Sequence, residues 1–241
     1  MLTTEQIKNL PVAPDRSRAV AGKDTLMFVA LTKDPDEFVI VGGQKNSPIT
    51  EKADSMDATD KTSGNFSKKL PGLHTWSIEY DGLWVVGDLG IDICRDRFKN
   101  NKPVYVRVEY PDGTYRMGWA SITDLSDNNS SDSAQTIKMS LEGVGALSDM
   151  LSPSADPKIT APTVAIATSP ADVVVNVTPV DIVPRMVLDQ NGQPLAYSSD
   201  YSYAGGKLTF KKEFLKTITR ACTFTVKFAN DVNITLNVTK A

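Results

Sequence analysis

The chain of 241 residues contains one histidine and two cysteines, a scarcity that removes the side chains most enzymes are built on. His74 stands ahead of a strand with no serine or cysteine nucleophile motif beside it, so no triad can be drawn. Cysteine and histidine never fall at the spacing of a zinc site. Gly143-Val-Gly145 follows a strand, but its glycines do not continue into a GxGxxG pattern and no phosphate-binding lysine comes after them. None of the 29 acidic residues is set among apolar neighbours that would raise a carboxyl pKa. The expectation is a protein that is not an enzyme, with no catalytic, cofactor-binding or metal residue.

Long apolar runs are missing too. No stretch approaches a membrane span, and the N-terminus, MLTTEQIKNLPVAPDRSRAV, has no apolar core of signal-peptide length, which implies synthesis and assembly in a cytoplasm. Cys94 and Cys222 belong to different halves of the chain and read as free thiols rather than a disulfide. Without a secretion signal, Asn-x-Ser/Thr triplets such as Asn176-Val-Thr178 are strand and loop composition rather than glycosylation sites. An excess of basic charge is also lacking. Residues 1–150 carry 17 Lys+Arg against 22 Asp+Glu, net −5, while residues 151–241 carry 9 against 7, net +2. A protein that grips phosphate should be basic, so the first part should avoid DNA rather than hold it.

What is present is alternation. Thr25–Leu31 and Phe38–Val41 are short apolar runs suited to buried strands. Trp76, Ile78 and Tyr80 alternate with Thr75, Ser77 and Glu79, and Asp81-Gly82 reads as a tight turn returning Leu83–Val86 along the first strand. Between Gln44 and Leu70 the chain is almost wholly polar, a long loop by its pattern. Asp54, Asp57 and Asp60 in that loop lack the alternating ligands and central glycine of a calcium loop, so they read as solvated acids. Asp88–Lys102 has a helical period, with Leu89, Ile93, Phe98 and Cys94 able to share a side and Asp88 as N-cap.

Three strands follow, over Val104–Tyr110, Tyr115–Leu125 and Ile137–Glu142. In each an apolar face opposes a polar one, and Arg107 and Glu109 fall on the polar face of the first. The fold class expected is mainly β: an N-terminal antiparallel β-sandwich or barrel with one flanking α-helix over residues 1–151. A Pro- and Ser-rich linker at 152–163 leads to short strands over 164–241 that suggest an immunoglobulin-like β-sandwich.

The order of several motifs resembles the major tail tube protein of long-tailed, non-contractile phages. These motifs are the Asp60-Lys-Thr-Ser-Gly64 element, the Trp76-Ser-Ile78 strand, a short helix, Tyr115-Arg-Met-Gly-Trp119 and Ser140-Leu-Glu-Gly143. The resemblance covers about residues 25–147. It implies a structural, self-assembling virion subunit: hexameric rings stack into a tube through which DNA passes without specific binding, around a tape measure protein and between tail terminator and baseplate proteins. Strands with one wholly polar face can line such a channel, which makes the polar-face residues Arg107 and Glu109 candidates for the lumen, with the sheet that faces inward left open by the sequence. Ring-to-ring contacts would fall to the 44–70 loop, with Lys45, Asp54, Asp57 and Asp60, and to an N-terminal arm.

Residues 165–240 resemble X2-type immunoglobulin-like modules through Leu188-Asp-Gln-Asn-Gly192, Ser199-Asp-Tyr201 and Lys207–Leu215. Such a domain would decorate the outside and could touch host-surface glycans weakly. Two other readings stay open at this stage, the tube protein of a contractile or type VI-like system and a cell-surface carbohydrate-binding protein.

Overall fold

A computed structural model of the chain describes residues 22–31, 37–229 and 232–240. The candidate N-terminal arm lies, up to residue 21, outside the described residues. A 3-10 turn at Gly22–Asp24 leads into β1 (Leu26–Ala30), β2 (Phe38–Ile40), β3 (Gln44–Asn46), β4 (Ile49–Asp57) and β5 (Lys69–Leu83). Helix α1 (Leu89–Lys99) follows, then β6 (Val104–Glu109), β7 (Tyr115–Asn128) and β8 (Thr136–Val144). These strands form one antiparallel sheet in the order β2-β1-β6-β7-β8-β5-β3, with β4 also paired to β5.

β2 and β3 end that order on opposite sides yet are consecutive in the chain, so the sheet curls until its ends meet. Gln44 closes the seam. Its Oε1 accepts from the Met27 amide, and its Nε2 donates to the carbonyls of Met27 and Val41, each at 2.8 Å. The barrel-like interior holds Met27, Val29, Val106, Ile78, Tyr80, Met139 and Leu141, with Ile91 and Cys94 entering from α1. Trp76 is gripped there. Its indole N–H donates to the Gly145 carbonyl at 2.9 Å, and a Cβ at Gly143 would lie 2.3 Å from that nitrogen, so only glycine fits beneath the ring. Asp88 caps α1 by accepting from the Ile91 amide at 2.9 Å.

The rest of the chain forms two four-stranded sheets. Their strands are β9 (Lys158–Thr160), β10 (Thr163–Ile166), β11 (Val173–Thr178), β12 (Met186–Leu188), β13 (Tyr201–Ala204), β14 (Lys207–Phe210), β15 (Cys222–Lys227) and β16 (Asn233–Lys240). A short helix α2 (Lys212–Thr217) lies between β14 and β15. One sheet runs β10-β16-β15-β12 and the other β13-β14-β11-β9. The Phe210 ring of one stacks on Phe224 of the other at 5.2 Å, within a core that includes Val175, Leu208, Val226 and Leu236. β10 and β16 pair in parallel, and the other strand pairs of these two sheets are antiparallel.

Four expectations change. The Asp81-Gly82 turn is absent: β5 runs straight through it, with Gly82 paired to both Gln44 and Ile137. Gly82 has no positive φ, and its missing Cβ instead makes room for the Tyr80 hydroxyl, which would lie 2.5 Å away. The 44–70 loop is largely strand, because backbone pairing of β4 with β5 requires no apolar alternation and β4 is solvated on both faces. On α1 it is Ile91 and Cys94 that are buried, whereas Phe98 is exposed. The stretch read as a linker contains β9, paired antiparallel with β11.

Candidate functional site

Alternation along β5, β8 and β7 puts three rows of polar side chains on the outside of the barrel. Register aligns Ser77, Glu142 and Ser121 in one row, Glu79, Ser140 and Asp124 in the next, and Asp81, Lys138 and Ser126 in the third. The residues between them, Ile78, Leu141 and Ile122, are buried inside. Glu79, Asp124, Lys138 and Glu142 are exposed, and the Ser140 hydroxyl donates to the Glu79 carboxylate at 2.7 Å. Four carboxylates stand against the single ammonium of Lys138. This wall is hydroxylated, wet and acidic, so it repels polyanions and offers them no bidentate grip.

The outside of β1, β2, β6 and β7 is the opposite. Phe28, Ala30 and Phe38 are buried and belong to the same apolar cluster as the core of the C-terminal sheets, with Tyr105 and Met117 packed against it. Arg107 and Glu109 lie within this covered face, 3% and 2% exposed. Their assignment to a lumen is therefore corrected. The alternation that puts them outside the barrel is real, but the C-terminal half sits on top of them.

The third feature is an arm. β4 and the first part of β5 leave the barrel as a two-stranded ribbon, paired from Glu51 and Trp76 out to Asp57 and Lys69. Met56, Phe66, Leu70 and Leu73 on it are more than half exposed. Such ribbons are marginal alone and gain stability by packing on something.

At the base of the arm Glu51 is held bidentately by Arg116 of β7, whose Nη2 lies 3.1 Å from Oε2 and whose Nε donates to the Ser148 carbonyl at 3.0 Å. The Arg116 hydrogen bond keeps the Glu51 carboxyl below the usual carboxylate range. Of the residues singled out from sequence, Asp54 and Lys45 are exposed on β4 and β3. Asp57 pairs with Lys69 at 2.8 Å and accepts from the Thr59 amide at 2.8 Å, its carboxyl lowered to about 2 chiefly by the lysine. Asp60 accepts from the Thr62 amide and hydroxyl at the tip. These carboxylates organise the tip, and among the described residues no group of three or more His, Cys, Asp or Glu converges on a metal position. His74 is exposed on β5 beside Ala53.

Sequence reading missed Glu51 and Arg116, which pair across 65 residues of chain, and Arg185, whose Nε donates to Glu109 at 2.9 Å. The acidic rows were legible as polar faces, but not as one wall, because that depends on register.

The described residues thus form a curled sheet with one acidic wet wall, one buried wall and a protruding ribbon. The family model for phage tail tube protein matches residues 19–149, and the chain belongs to that family, whose members are structural proteins of the virion tail. Among solved structures it is similar to the tail of an empty gene transfer agent particle refined with C6 symmetry, at 25% identity and TM-score 0.50, over 54% of this chain and 98% of that one. The virion of the native gene transfer agent matches at 24% identity and TM-score 0.49, over 56% and 100%. The SPP1 tail tube matches at 18% identity and TM-score 0.45, over 53% of this chain and 77% of that one. A comparison with curated proteins finds no match.

Proposed function

We propose that this chain is the repeating subunit of a phage tail tube, assembling with sixfold symmetry into stacked rings around a channel that passes DNA. The observation that carries this beyond the family is the asymmetry of the barrel's exterior. One side is closed by the chain's own C-terminal half, and the other is left bare as an acidic, hydroxylated wall. A channel for a polyanion needs a wetted surface that does not hold phosphate, and Glu79, Asp81, Asp124 and Glu142 make the bare side such a surface. The arm serves contacts between copies: its apolar side chains are exposed, and burial against a neighbour stabilises the ribbon. Lys45, Asp54, Asp57 and Asp60 lie on or beside it and belong to the same contact zone. A tape measure protein in the channel, and terminator and baseplate proteins at the ends, are the partners such a tube requires.

The test is electron microscopy of the purified full-length chain beside a variant in which residues 58–68 at the arm tip are replaced by a short Gly-Ser turn. The native chain is expected to form hollow tubes, and the variant folded, discrete subunits or isolated rings. Solid filaments from the native chain would overturn the tube, and full-length tubes from the variant would overturn the role of the arm.

A further inference from the structure

The family model ends at residue 149, and a second domain beyond it is most simply pictured as an ornament on a tether. The contacts between the halves say otherwise. Glu109 on β6 is bracketed by two arginines, one from each half. Its Oε2 accepts from Nη2 of Arg107 at 3.0 Å, and its Oε1 accepts from Nε of Arg185 at 2.9 Å. Arg107 Nη1 donates across the junction to the Asp181 carbonyl at 2.9 Å, and its guanidinium lies 3.8 Å over the Tyr115 ring. Arg185 Nη2 donates to the carbonyls of Asp24 at 3.0 Å and Tyr110 at 3.3 Å. Tyr197 donates its hydroxyl to Glu37 at 2.8 Å. Around these lies one continuous apolar cluster that includes Phe28, Ala30 and Phe38 from the barrel with Tyr203, Phe210 and Leu236 from the C-terminal sheets.

Burying charge is costly unless it is paired, and here the Arg107–Glu109 pair is compensated by bonds across the junction to the Asp181 carbonyl and Arg185, with Arg107 Nε left buried without a partner, so the pair is suited to a docked partner and not to an open apolar face. Among the described residues, the Arg185 side chain bonds to Glu109, Asp24 and Tyr110, all across the junction. We propose that the C-terminal half is an integral, permanently docked part of the subunit, that its docking completes the barrel's outer core, and that Arg185 is the latch which selects the docked state. The half is then carried at a fixed angle on the side of the barrel away from the acidic wall. This inference does not depend on the tube reading, because it concerns the single chain in solution.

The chain carries its own reporters. Trp76, Trp84 and Trp119 all lie in the barrel half, and Cys222 lies in the other, with Cys94 as a second barrel probe. Urea unfolding of the full chain is followed by tryptophan fluorescence and by pulsed thiol labelling of Cys94 and Cys222, read peptide by peptide. The native chain is expected to give coincident midpoints for all three probes. Arg185→Ala is expected to split them by about 1 M urea or more, the scale set by removing one partner of a buried pair. Arg185→Lys, which keeps the charge but loses the fork, is expected to fall between. Separate midpoints in the native chain would overturn integral docking. Coincident midpoints in Arg185→Ala, unmoved from native, would overturn the latch.

Discussion

At the scale of single residues, burial decides which groups can ionise. Cys94 is fully buried, and burial, with the nearby Asp88 charge second, pushes its thiol up to about 12. Burial likewise pushes the hydroxyls of Tyr201 and Tyr203 up to about 12, and that of Tyr80 further still. In each case the folded state prefers the neutral form that packs in the core. The folded pKa therefore exceeds the unfolded one. Stability is complete below the ordinary thiol and phenol values and is lost as pH climbs through the interval up to about 12, at about 1.4 kcal/mol per pH unit for each group. The expected result is a urea midpoint that is flat between about pH 7 and 8.5 and falls steeply from about pH 9 to 12. A midpoint unchanged at pH 11 would refute this. Cys94 is also expected to resist maleimide in the native protein at pH 8, whereas half-buried Cys222 is labelled slowly.

Elements follow from sequence only where one partner suffices to define them. The strands β6 to β8 and helix α1 were legible because each presents an apolar face to a common core, and alternation along one segment records that. The ribbon was not: Ile49–Asp57 is solvated on both faces with no apolar alternation, and its strand character comes from backbone pairing with β5, which leaves no mark on side-chain pattern. Asp81-Gly82 misled for a related reason, since a glycine that yields space to Tyr80 looks the same in sequence as one that turns the chain. The seam was likewise hidden, because Gln44 is one polar residue in a polar stretch. Its three bonds of 2.8 Å join the sheet's ends. Gln44→Ala removes all three and leaves the Met27 amide without that acceptor, a loss of about 1–3 kcal/mol. The expected readout is a lower urea midpoint with the helix and strand content of the circular dichroism spectrum unchanged. A midpoint equal to native would show that the barrel closes without the seam.

For the whole molecule the governing fact is that one sheet has two exteriors. Arg107 and Glu109 show how sequence can be right about a face and wrong about its surroundings: they do point out of the barrel, but what lies outside is the chain's own C-terminal half. The side that remains bare carries Glu79, Asp81, Asp124 and Glu142 with Lys138. If it lines a channel, its charge rather than its shape keeps DNA from sticking. Reversing that charge isolates the effect. Glu79→Lys and Glu142→Lys together leave the buried rows, the arm and the junction untouched, since both residues are exposed and in strand positions. The double variant is expected to assemble as the native chain does and to retain short double-stranded DNA in a filter-binding assay at low salt, where native tubes retain none. Each added phosphate contact steepens the salt dependence, so retention should be lost again as salt is raised from about 50 to 200 mM. Retention by the unassembled variant subunit as strongly as by its tubes would place the acidic wall on the outside of the assembly, because only an enclosed wall gains from gathering copies around one duplex.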